Sequence, residues 1–62
     1  MEITPSMLRR KMRVSDVRVW QVAKQIGISE ITIYRWLRDD PVNEEHANLI
    51  LKAIEELAVK ER

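Results

Sequence analysis

The chain has no cysteine, which excludes disulfides and thiolate metal sites. Its one histidine, His46, falls in the first turn of an acidic helix with no metal-ligand spacing and no nucleophile beside it, and is read as a surface residue. The acidic pairs Asp39/Asp40, Glu44/Glu45 and Glu55/Glu56 are sequence neighbours, which diverge on a helix and form a solvated face rather than a catalytic pair. A phosphate-cradling loop is missing too, because Gly27 is the one glycine. These absences argue against an enzyme and leave no cofactor and no metal to expect. Nor does any apolar run approach the length of a signal sequence or a membrane span, so no membrane partner is expected and the cytoplasm is the default setting.

Length sets a further bound. Sixty-two residues make a single domain, 1–62, whose core is small by surface-to-volume scaling, so most apolar side chains are committed to it and little is spare for a ligand cavity. A net charge of only +1 speaks against a nonspecific polycation, but the charge is unevenly placed. Residues 1–38 hold eight Lys or Arg against three Asp or Glu, a net +5, and residues 39–62 hold three against seven, a net −4. Such asymmetry points to a polyanion on one side and to solvent, or a basic partner, on the other.

The chain is organised around residues 19–38. Val19, Val22, Ala23 and Ile26 recur at steps of 3, 4 and 7, which marks the buried face of one helix. Gly27 stops it, since the residue just past a helix end favours positive φ and glycine has no Cβ penalty there. Ser29 is placed to cap a second helix, and Glu30 in its first turn suits the positive end of the dipole. Ala23 is small where two helices joined by so short a turn must cross closely. On the second helix, expected over Glu30 to Arg38, Ile33, Trp36 and Leu37 share an inward face. Ile31, Tyr34, Arg35 and Arg38 share the outward one. An isoleucine, a tyrosine and two arginines with no acid pairing them are unusual on a solvated helix. A DNA major groove accounts for the mixture through guanine, thymine methyl and phosphate contacts.

On either side the pattern supplies two more helices. Thr4 and Pro5 read as N-cap and first helical residue after a loose stretch at 1–4, with helix 1 running to about Met12 or Arg13, burying Leu8 and Met12 and leaving Met7 at the edge. Its basic cluster, Arg9, Arg10, Lys11 and Arg13, is either a solvated face or a phosphate-facing one. Val14 to Val17 connects to the motif, with Ser15 or Asp16 as candidate cap. Trp20 reads as an indole wedged against helix 1 or the closing helix, with an N–H to phosphate as the other reading, and Trp36 reads as core. Asp39 to Val42 ends the recognition helix ahead of Pro41. Asn43 caps a closing helix over 44–59, whose stripe is Ala47, Ile50, Leu51, Ile54, Leu57 and Ala58. Leu49, Ala53 and Val59 fall off that stripe, as edge residues or part of a dimer seam. The expected fold is an all-α four-helix domain with a central helix-turn-helix.

The pattern Ala23, Gly27, Ser29, Ile33, Trp36 resembles the motif of the Cro/repressor-like (XRE) helix-turn-helix family. Val19-Trp20-Gln21-Val22-Ala23 together with Ile50 to Leu57 is similar to very short regulators and excisionases of Gram-positive bacteria and their mobile elements. Thr32 to Arg38 also looks like MerR-type excisionases, although the β-wing that follows in those has no counterpart here. The resemblance covers about residues 7 to 58. It departs at the start of the first motif helix, where Cro-like proteins carry a phosphate-clamping glutamine and this chain has Val19, with Gln21 two residues on.

The expectation is therefore sequence-specific binding of double-stranded DNA. Ser29, Glu30, Ile31, Tyr34 and Arg35 are the candidate base readers, and Arg18, Gln21, Lys24, Thr32 and Arg38 the candidate phosphate contacts. So small a reader contacts few base pairs, which favours a homodimer or a cooperative multimer on DNA. The resemblance implies a small transcriptional regulator of phage or mobile-element type, working with RNA polymerase, or an excisionase that bends DNA for a recombinase. A protein-binding antirepressor or adaptor, anchored by Ile31 and Tyr34, is the competing class.

Overall fold

The computed structural model describes residues 2–60, which form four α-helices and, among the described residues, no strand. Helix α1 (Pro5–Val14) starts as its sequence dictates: the Thr4 hydroxyl accepts a hydrogen bond from the Met7 N–H at 3.3 Å, with Pro5 at the first helical position. It buries Leu8 and Met12 and runs one residue beyond Arg13.

The connection to α2 (Val19–Ile26) differs from expectation. Neither Ser15 nor Asp16 caps the second helix. Asp16 instead takes a φ of +55°, and the Asp16 and Val17 N–H groups donate back to the carbonyls of Arg13 (3.1 Å) and Met12 (2.8 Å). That pattern ends α1, satisfying its last carbonyls, and turns Val17 into the core. The N-cap of α2 falls to Arg18, whose N–H donates to Gln21 Oε1 at 2.8 Å.

Gly27 ends α2 with φ +91°, and its N–H and that of Ile28 both donate to the Ala23 carbonyl. Helix α3 (Glu30–Trp36) is capped by Ser29, whose hydroxyl accepts from the Thr32 N–H at 3.3 Å. It is shorter than the expected 30–38. Leu37 is the C-cap, and the Arg38 and Asp39 N–H groups donate three residues back, to Arg35 and Trp36, so the chain tightens into a turn before Pro41 is reached. Asn43 caps α4 (Glu44–Lys60) by accepting from the N–H groups of Glu45 (2.9 Å) and His46 (3.4 Å).

Helix α4 packs on both α1 and α2, while α3 leans on α2. Leu8, Val22, Ile33, Ala47, Ile50 and Ile54 are the fully enclosed centre of the core. Ala53, expected off the α4 stripe, is buried. Residues 2–4 are not loose as expected. Ile3 packs against the core, and its carbonyl accepts from the Val42 N–H at 2.8 Å, holding the start of α1 beside the start of α4. Met1 lies outside the described residues.

Candidate nucleic-acid interface

Helix α3 is positioned from beneath. Ile33 and Leu37 sit in the core, and these two anchors, one turn apart, fix the rotation of the helix about its axis. Its opposite face is thereby committed to solvent. There Ile31, Tyr34, Arg35 and Arg38 line one shallow concavity, with Ile31 66 % and Tyr34 46 % exposed. Arg38 joins them from the turn beyond the helix. Seven residues at about 1.5 Å rise give a face roughly 10 Å long, a length that fits within a major groove about 12 Å wide.

The other candidate base readers sit at the leading end of α3. Glu30 is exposed in the first turn. Ser29 is exposed as well, but its hydroxyl serves as the cap and lies 3.0 Å from the Thr32 hydroxyl. Thr32 is half-buried, so the hydroxyl assigned to phosphate is already engaged with Ser29.

The remaining phosphate candidates are not gathered with the α3 face. Gln21 and Lys24 line a separate concavity with Trp20, Gln25 and Leu57, where α2 meets the second half of α4. Trp20 is half exposed there and shares the concavity with Leu57 of α4, one of the two helices it was expected to lie against. Gln21 Oε1 is held by the Arg18 N–H, which orients the side chain along the start of α2. Arg18 lines a third concavity at the α1–α2 junction with Arg9, Arg13 and Asp16. Arg9 and Arg13 are four residues apart on one face of α1, a spacing visible in the sequence; their meeting with Arg18 depends on the turn at Asp16. Lys11, from the same basic run, points to the other side, into a groove against α4.

Trp36, expected in the core, is half-buried and packs against it, while His46 is not the plain surface residue expected: the two rings stack with centroids 4.0 Å apart and planes 7° from parallel. Residue spacing carries no signal for this contact, because it depends on how the end of α3 meets the first turn of α4.

Among the described residues no group of His, Asp or Glu side chains is arranged to hold a metal ion, and no helix is long and apolar enough to cross a membrane. Comparison with protein-family models, with curated proteins and with solved structures finds no match.

Proposed function

We propose that the chain binds double-stranded DNA sequence-specifically by inserting α3 into the major groove, as a small transcriptional regulator of phage or mobile-element type. The observation that carries this reading is the outward face of α3, where Ile31, Tyr34, Arg35 and Arg38 converge on a helix whose opposite side is anchored by Ile33 and Leu37. A guanidinium bonds guanine in a bidentate fork, Ile31 suits a thymine methyl, and Tyr34 reaches a base edge or phosphate. Glu30, at the leading end, is able to accept from a cytosine amine. The arginines of the α1–α2 junction are a source of sequence-independent attraction to the backbone.

The exposure of Ile31 and Tyr34 also suits a second reading, in which they anchor a protein partner and the chain acts as an antirepressor or adaptor. Site selection from a randomised duplex pool separates the two. Enrichment of a defined motif, with the preference at one position relaxed by Arg35→Ala, supports DNA reading; an unenriched pool contradicts it.

A further inference from the structure

The four residues that line the α3 concavity are not equivalent once the rotation of the helix is measured from the core. At about 100° per residue, Ile31 and Arg35 lie roughly 140° and 180° round the helix from the midpoint between the two anchors, Ile33 and Leu37. They point most directly away from the protein. Tyr34 lies only about 80° from the same midpoint, on one flank, and Arg38 follows the C-cap rather than standing on the helix. Exposure follows the same order, with Ile31 66 % and Tyr34 46 % exposed. Ile31 and Arg35 are also one turn apart, about 6 Å along the helix axis.

A helix that enters the major groove with its outermost stripe leading sets Ile31 and Arg35 over the floor, where the base edges are. Tyr34 and Arg38 then lie toward a wall, where the phosphates are. The Ile31 side chain has no polar atom, and the apolar group on a base edge in that groove is the thymine C5 methyl. Arg35 carries a planar fork of donors, and guanine presents the matching pair of acceptors, O6 and N7. We propose that the site read by α3 holds a T·A pair and a G·C pair with one base pair between them, because the 6 Å or so from Ile31 to Arg35 spans about two steps of 3.4 Å. Ile31 covers the thymine methyl and Arg35 bonds the guanine. Tyr34 and Arg38 hold the strand that borders the groove and carry no base preference. This pairing of residue to base rests on α3 being a DNA reader, and adds which two base pairs it reads, at what spacing, and through which side chain.

The test starts from the motif that the wild type enriches from a randomised duplex pool and changes single groups within it. Each thymine is replaced in turn by deoxyuridine, which removes only the C5 methyl. At one position, two steps from a guanine, this is expected to weaken the wild type about fourfold, the worth of one buried methyl, and to leave Ile31→Ala unaffected. Replacing that guanine by 7-deazaguanine removes the N7 acceptor and is expected to weaken the wild type about fivefold or more, while Arg35→Ala is unaffected. Each variant is blind only to its own base: Ile31→Ala still responds to 7-deazaguanine, and Arg35→Ala still responds to deoxyuridine. Both positions are solvent-exposed, so folding is retained, and circular dichroism confirms it. An enriched motif without a T·A and a G·C pair at that spacing, or a wild type indifferent to every methyl, would overturn this assignment and leave the DNA reading standing. A pool that is not enriched at all would overturn both, so the two failures are distinguishable.

Discussion

Trp36 and His46 stack face to face, 4.0 Å between ring centroids, so the last residue of the seven-residue α3 is clamped by the first turn of α4. A helix of two turns has little stability of its own, and such contacts hold it in place. His46 Nδ1 is also buried, with no hydrogen-bond partner among the described residues. The ring therefore contributes through its face, not through its nitrogen. His46→Ala is expected to cost about 1 kcal/mol, the worth of an aromatic pair plus lost contact. His46→Phe keeps the stack and removes an unsatisfied polar atom, so it should be neutral or slightly stabilising. Urea unfolding of both variants checks this, and an equal loss in the two would show that stacking is not the contribution.

Gly27 is required for its backbone angle alone. At φ +91° a side chain is strained, yet a Cβ built there meets nothing within 4 Å. Gly27→Ala should therefore cost only the left-handed penalty of about 1 to 2 kcal/mol, and Gly27→Asn less, since asparagine visits that region more readily. Thermal unfolding of the pair provides the check; a larger loss for asparagine than for alanine would point to crowding instead.

Ala23 is buried where α2 packs between α3 and α4. Enlarging it forces the helices apart. Ala23→Leu is expected to destabilise by about 1 to 3 kcal/mol, the usual cost of overpacking, and Ala23→Gly by about 1 kcal/mol from helix propensity. Chemical denaturation distinguishes this from a surface alanine, where leucine would be tolerated.

Gln21 has two separable roles. Its Oε1 accepts from the Arg18 N–H, a bond that Gln21→Ala removes at a cost of about 0.5 to 1 kcal/mol of stability, whereas Gln21→Glu keeps the acceptor. If the side chain also lies beside phosphate, the glutamate variant should fold normally and bind DNA more weakly at every sequence. Unfolding midpoints and DNA affinities measured on both variants decide between a cap alone and a cap that doubles as a backbone contact.

Much of this was written in local chemistry. Gly27, Ser29 and Asn43 are stop and start signals whose physical reasons act within three or four residues, and each ends or caps a helix where its neighbours require. The outward face of α3 was legible as well, because steps of three and four residues place Ile31, Tyr34, Arg35 and Arg38 together whatever surrounds them. Other features needed the third dimension. Val17 and Val42 are core residues in connections, where no periodicity marks an apolar side chain as buried. Asp16 looks like a cap for the next helix, yet its positive φ closes the previous one. Ala53 falls at the margin of the α4 stripe, and only the contact with α2 shows that the buried arc is wide enough to include it. The meeting of Arg9 and Arg13 with Arg18 depends on the turn at Asp16, whereas Lys11, two residues from each on α1, is set apart from them by helical phase alone.

Arg35 and Arg38 share a face but differ in position: one is in the last turn of α3, the other beyond its C-cap. Arg35→Ala is expected to cost about 1 to 3 kcal/mol on the best site and to relax the preference there. Arg38→Ala is expected to weaken all sequences alike and to lower the salt slope by about 1. Competition binding with matched and mismatched duplexes reads the difference, and a uniform loss in both would make Arg35 a backbone contact.

Groove binding through α3 is tested by fluorescence anisotropy of a labelled mixed-sequence duplex across a salt series, comparing the wild type with Arg35→Ala/Arg38→Ala. Wild-type binding is expected to fall steeply with salt, and the double variant to lose most of it. No binding at low salt by well-folded wild-type protein would contradict groove binding, and would turn the search to a protein that docks on Ile31 and Tyr34.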